Sequence, residues 1–254
     1  MLTDIFTAYI NTMTILVLGT ALALVAVNAA GAVGHGLTVR QVPRLLGGMA
    51  LLLGLWAALA TYVAQLGVMG QAPFAFAPPW VGWFFVGGAV LLFALGRLAS
   101  PARVVIDRMG QNYFMGIQSF RMLGGVFLLG WAVGDIPWIF ALPAGFGDIW
   151  AGIAGYRAMQ AVNRGDPKAR RLVVQANVIG TVDFTVALIT GLITSETVYQ
   201  LMAHDAPNIV GAYPLVMIPA LLVPVFLAAH FFSIQRLMRN PARTGDTAPV
   251  ATPG

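Results

Sequence analysis

The chain has no cysteine and a single lysine, Lys168, and only 9% of its residues are charged. The lack of cysteine excludes disulfides, iron–sulfur clusters and thiol catalysis. A soluble domain is about one quarter charged, so a chain this poor in charge cannot clothe a water-facing surface. The one lysine lies between apolar segments, which rules out a retinal Schiff base inside a helical bundle. The enzyme signatures G-x-S-x-G and H-E-x-x-H are missing. Of the three histidines, His35 and His204 fall in loops, which disfavours a bis-histidine haem. No cofactor is expected. The net charge of +5 is not a nucleic-acid signal, because the basic residues sit in short loops between apolar runs.

What is present is apolar: 59% of the residues are hydrophobic. The sequence predicts seven spans, at 8–30, 45–66, 80–99, 112–134, 137–158, 173–194 and 214–236. Each is about 20 residues, long enough to cross roughly 30 Å of hydrocarbon as a helix. A transmembrane barrel would show short alternating segments instead. The fold class expected is an all-α integral membrane protein, one seven-helix domain over residues 1–243 embedded in the lipid bilayer. The tail 244–254 is polar, contains proline and reads as disordered. Ser100-Pro101 can open a short interfacial helix through Arg108, with serine as the cap and proline at the first helical position. The link near Asp135 and Pro137 is tight and makes spans four and five an antiparallel hairpin. Trp80, Trp83, Trp138 and Trp150 read as mostly span-end or lipid-belt residues.

Basic residues set the orientation. Arg40, Arg44, Arg97, Arg103, Arg108, Arg157, Arg164, Lys168, Arg170, Arg171, Arg236, Arg239 and Arg243 all fall on one side if the N-terminus is outside and the C-terminus cytoplasmic. The other side holds Asp4, Asp135, Glu196, His204 and Asp205. The segment MLTDIFTAYI has no basic region and does not read as a cleaved signal peptide. Composition rich in Arg, Ala and Gly leans toward a GC-rich bacterium, hence a multi-pass protein of the bacterial inner membrane.

The remaining basic residue, Arg121, lies inside span four. Asp148, Asp183 and His230 lie inside spans five, six and seven. Spans one to three have no ionisable residue in their interiors. At about 1.5 Å per residue, Arg121, Asp148 and Asp183 fall within roughly 5 Å of one plane, and His230 lies roughly 8 Å nearer the cytoplasm. Each Arg or Asp at a helix centre costs about 2.5–3.5 kcal/mol. Three facing lipid would cost roughly 8–10 kcal/mol, as much as a whole fold is worth, so they are expected to pair within the bundle. Small residues share the stripe with Asp148 (Ala144, Gly145, Ala151, Gly152, Gly155) and with Asp183 (Ala176, Gly180, Ala187, Thr190, Gly191), which marks packing faces. Gln118 lies beside Arg121 at i, i+3. Pro143, Pro219 and Pro224 free carbonyls within spans five and seven.

One arginine facing two aspartates leaves a net charge of −1 when His230 is neutral. Such a charge is costly in low dielectric. Either an aspartate keeps a proton, or His230 is protonated, or a cation binds. The leading functional expectation is therefore a small secondary transporter or proton-linked permeation protein taking a proton, cation or small solute. Two alternatives stand beside it. One is a non-catalytic membrane subunit or assembly factor, in a homo-oligomer or a membrane complex, with the charges as a registration device. The other is an intramembrane enzyme on a lipid-soluble substrate, with His230 and an aspartate as acid and base. A metal ion held by Asp148, Asp183 and His230 is the weakest reading, since each ligand comes from a separate helix.

Overall fold

In hydrocarbon every backbone N–H and C=O must find an internal partner, so apolar runs resolve into helices. The computed structural model describes residues 2–69 and 80–239, and among these the regular elements are all helices, with no strand. The predicted disordered tail, 244–254, and the loop residues 70–79 after the second span lie outside the described residues. In chain order the helices are α1 (Leu2–Gly31), α2 (Gln41–Gln65), α3 (Trp80–Leu98), α4 (Ser100–Arg108), α5 (111–132), α6 (Trp138–Asn163), α7 (Ala169–Thr194) and α8 (Ile218–Arg239). Among the described residues, six of these are long and apolar enough to cross a membrane: α1, α2, α3, α6, α7 and α8.

The exception is α5. It runs as three successive pieces, Gln111–Gln118 in α-form, Ser119–Gly125 as a 3-10 helix and Val126–Ala132 in α-form again. A 3-10 run this long is uncommon and marks a hinge or a strained site. Its causes are local. Gly124 and Gly125 weaken helix propensity, and the Leu123 carbonyl accepts a hydrogen bond from the Tyr9 hydroxyl of α1 at 2.7 Å.

Glycine ends two helices in the same way. After α5, Gly134 adopts φ +87°. Its N–H donates to Trp131 O, and Asp135 N–H donates to Gly130 O. After α6, Gly165 adopts φ +65°, Gly165 N–H donates to Val162 O and Asp166 N–H to Ala161 O. Both are Schellman closures, which need a left-handed residue at that position. The first makes α5 and α6 an antiparallel hairpin. The helix Ser100–Arg108 forms, but Ala99 holds the cap position and Ser100 makes no capping bond. Pro101 sits in the first turn, where its missing N–H costs nothing.

The bundle is built around α8. Its apolar window is 78% buried, against 11% for α2. It packs on α3, α5 and α7, and α6 lies beyond, held between α5 and α7. Pro224 explains one crossing contact. Lacking an N–H, it leaves the carbonyl four residues earlier without its helical donor. That carbonyl, Ala220 O, accepts from Trp56 Nε1 of α2 at 2.7 Å. Around it, Ile218–Leu222 winds as a π-helix.

Two positions differ from the sequence reading. The last helix begins at Ile218, with Pro219 in its first turn, not at 214. Its midpoint therefore moves toward His230, which lies about 2 Å along the axis from it rather than about 8 Å. Of the four tryptophans read as mostly span-end or lipid-belt residues, Trp150 is central in α6 and 61% exposed.

Candidate functional site

The α5–α6 interface is made by glycine. Gly152 faces the backbone of Met122, and Gly155 faces Gln118 and the Met115 carbonyl. Backbones that close leave no room for a lipid chain between them. In a 3-10 helix residues three apart are eclipsed, so Gln118, Arg121 and Gly124 form one line. That line points into the junction of α5, α6, α7 and α8.

Arg121 is 1% exposed. Its Nε donates to Asp148 Oδ1 at 2.9 Å. Its Nη2 donates to Asp183 Oδ2. Its Nη1 donates to the Gly180 carbonyl at 3.3 Å and lies 3.4 Å from His230 Nε2. The guanidinium carbon stands 3.7 Å from the ring centroid of Phe184, a cation–π contact. One side chain thus reaches three neighbouring helices.

Three glycines make the junction possible, and they form a cycle. The carboxylate of Asp148, from α6, occupies the side-chain space of Gly124 on α5. The carboxylate of Asp183, from α7, occupies that of Gly147 on α6. The guanidinium of Arg121, from α5, shares that of Gly180 on α7 with the His230 ring. Each helix of the trio offers a bare Cα to a charged side chain of another.

The hydrogen bonds also fix the state of His230. A guanidinium only donates, so His230 Nε2 accepts from Arg121 and its proton sits on Nδ1. Nδ1 donates to Asn177 Oδ1 at 2.9 Å. Asn177 Nδ2 donates to Ser233 Oγ at 2.8 Å, and Ser233 Oγ donates to Gln111 Oε1 at 2.8 Å. Gln111 Nε2 returns to the Ser233 carbonyl at 3.0 Å. From His230 through Asn177 to Ser233 the side-chain donors run away from Arg121, toward Gln111 at the start of α5. The ring is therefore a neutral imidazole. Gln118, also buried, donates from Nε2 to Phe226 O at 2.9 Å and does not touch the charges.

His230 contacts neither carboxylate, because Arg121 stands between them. The same geometry counts against a metal held by Asp148, Asp183 and His230. Among the described residues no group of three or more His, Cys, Asp or Glu side chains is placed to hold a metal ion.

The two carboxylates are also the polar floor of a pocket of about 60 Å³. Its walls are aromatic, from Phe85, Phe127, Phe140 and Phe184. It runs to Met69, Ser195, Thr197 and Val210, at the end of the bundle opposite Arg97 and Arg236. Asp148 keeps 14% of its side chain exposed and Asp183 7%, whereas Arg121 keeps none.

Sequence reasoning named Arg121, Asp148, Asp183, His230 and Gln118, and the first four meet. It missed Asn177, Ser233, Gln111, Phe184 and the roles of Gly147 and Gly180. Ser233 lies at i+3 from His230, one helical turn away, whereas Asn177 stands six residues before Asp183 and has no neighbour spacing to a charged residue.

No curated protein and no solved structure matches the chain. Residues 78–238 match a family model described as Domain of unknown function (DUF8737). The matched region contains Arg121, Asp148, Asp183 and His230 and leaves α1 and α2 outside. It covers more than half of the sequence, and the chain belongs to that family.

Proposed function

We propose that this protein is a small secondary transporter or proton-linked permeation protein of the bacterial inner membrane, with Asp148 and Asp183 as the binding pair for a proton or a small cation. The observation that carries this reading is the stoichiometry at the pocket floor. Two carboxylates share one guanidinium, and His230 is neutral. The count leaves one negative charge without a partner in an apolar surround, where it is costly. The missing positive charge has to arrive through the pocket.

The pocket limits what that charge can be. At about 10–15 Å³ for each water by this kind of measure, 60 Å³ holds a few waters or a small ammonium, not a drug-sized solute. Aromatic walls with carboxylates at the base suit a cation. Toward the other end the way is filled by His230 and Ser233, at 1% and 0% exposure. Access from one side only is what an alternating-access cycle requires of each of its states. The 3-10 stretch is the hinge in this reading. Converting its seven residues to α-form would shorten α5 by about 3.5 Å and turn Arg121 relative to its partners.

In this reading α5 is the seventh span. Its 8, 7 and 7 residues add to about 36 Å, sufficient for roughly 30 Å of hydrocarbon. The N-terminus lies outside, and the arginine-rich end is cytoplasmic, as basic residues favour.

One observation favours the registration reading instead: all three guanidinium nitrogens of Arg121 are engaged. Flux separates the two. Proteoliposomes of the purified chain, loaded with a pH-sensitive dye and given a proton or methylammonium gradient, should dissipate it faster than protein-free vesicles. Asp148→Asn and Asp183→Asn should abolish the difference, while Asp135→Asn, at the exposed hairpin turn, should preserve it. Wild-type vesicles no leakier than empty ones would refute transport of these ions and leave the charges as a structural device.

A further inference from the structure

Each carboxylate of the acid pair keeps one oxygen back. Arg121 Nε takes Asp148 Oδ1, and Arg121 Nη2 takes Asp183 Oδ2. Among the described residues nothing donates to Asp148 Oδ2 or Asp183 Oδ1. These two oxygens are the atoms that lie over the bare Cα of Gly124 and of Gly147. Among the described residues no basic side chain lines the pocket. Met69 and Trp80 both line it, and the residues between them, 70–79, include no charged one. A charged donor for the two oxygens therefore has to come with the guest.

The walls have a chemistry of their own. Four phenylalanines stand there, one from each of α3, α5, α6 and α7. They form two pairs. Phe85 meets Phe184 at 5.8 Å between ring centroids and 88° between planes, and Phe127 meets Phe140 at 5.1 Å and 76°. Rings set nearly at right angles present faces in more than one direction. Phe184 already holds one cation against its ring, the guanidinium of Arg121. Besides the two acids, the side-chain oxygens among the described lining residues are the hydroxyls of Ser195 and Thr197, at the far end.

This mixture selects among cations. A hard metal ion gives up its water only for a shell of several oxygens, and phenylalanine supplies none. A bare proton makes no use of the rings. A methylated ammonium uses both surfaces, since its N–H donates to a carboxylate and its methyl groups lie against ring faces, as in the aromatic cages that hold quaternary ammonium ions. A fully quaternary ion would leave the two oxygens without a donor. Size sets the other bound. At about 10–15 Å³ for each water-sized group, the 60 Å³ pocket takes about four to six heavy atoms, and trimethylammonium has four. On the reading of Asp148 and Asp183 as a cation-binding pair, we propose that the ion they bind is a methylated ammonium with an N–H, of the size of trimethylammonium, held between the acids and the rings of Phe85, Phe127, Phe140 and Phe184.

The test is isothermal titration calorimetry of the purified full chain in neutral detergent and one sodium buffer at neutral pH, with the chlorides of ammonium, trimethylammonium and tetraethylammonium. The expected result is one trimethylammonium per chain, bound about tenfold or more tighter than ammonium, as several desolvated ring contacts allow. Tetraethylammonium, with more than twice the heavy atoms, should not bind. Phe85→Leu/Phe140→Leu should bring the two affinities within about threefold of each other, as the loss of ring faces requires. Asp148→Asn/Asp183→Asn should abolish binding of both ions. Phe146→Leu, a ring on α6 that is 61% exposed and outside the pocket, should keep the full preference. Trimethylammonium bound no more tightly than ammonium by the wild type would overturn the proposal, with no variant needed. So would tetraethylammonium bound as tightly, or a preference that survives loss of the two rings. Asp148- and Asp183-dependent flux without this preference would sink the cage and spare the acid pair. The preference without flux would spare the cage and sink transport.

Discussion

Asp183 lays its carboxylate against the bare Cα of Gly147, in space that a methyl group would fill. The acid can meet Arg121 only because the neighbouring helix carries no side chain there. Gly147→Ala should therefore separate the pair and overpack the α6–α7 interface. A destabilisation of about 1–3 kcal/mol is expected, read as a lower melting temperature in detergent. Gly19→Ala, where the added Cβ meets nothing within 4 Å, should leave the melting temperature unchanged or slightly raised. Equal melting of the two variants would contradict the packing described here.

Removing the guanidinium should be worse than removing the acids. Arg121→Gln leaves two buried carboxylates without a counter-charge, and breaking a buried pair in this way costs about 3–5 kcal/mol. Adding Asp148→Asn and Asp183→Asn to that variant takes away the stranded charges and should recover a good part of the loss. Thermal unfolding of the single and triple variants in one detergent checks the order. A triple variant less stable than Arg121→Gln alone would show that the acids are held by something other than Arg121.

These expectations rest on a part of the site that was legible in the sequence. Arg121, Asp148 and Asp183 stand out because a charge in hydrocarbon is costly enough to force a partner, and the helix faces followed from small residues at helical spacing. The apolar runs marked the helices for the same reason of cost. The polar seam was not legible. Asn177, Ser233 and Gln111 are uncharged, and such residues occur singly in membrane helices without demanding a partner. His230 looked displaced from the other charges because apolar composition extends to 214, whereas the helix starts only at Ile218. The 3-10 stretch was hidden because hydropathy does not distinguish one helix type from another. Its Gly124-Gly125 pair was the local cue.

The proline contact offers a test of a different kind. Trp56→Phe removes the donor that satisfies Ala220 O and should cost about 1–3 kcal/mol. Pro224→Ala restores a backbone N–H four residues after that carbonyl. In the Pro224→Ala background, Trp56→Phe should cost distinctly less, so the double-mutant cycle should show a coupling of about 1 kcal/mol. Additive effects would mean that the indole acts by packing against Phe84, at 5.2 Å between ring centroids, and not through its N–H.

The charge count at the pocket floor decides most. Infrared absorption of the purified protein at neutral pH distinguishes a protonated carboxyl group from a carboxylate, and Asp148→Asn and Asp183→Asn identify the band. The expected result is a carboxylic-acid C=O band assigned to this pair, or a carboxylate band that shifts on adding a small monovalent cation, in either case lost when both acids are replaced. A spectrum in which Asp148 and Asp183 are both ionised and no added cation perturbs them would contradict the claim that the site takes up one positive charge.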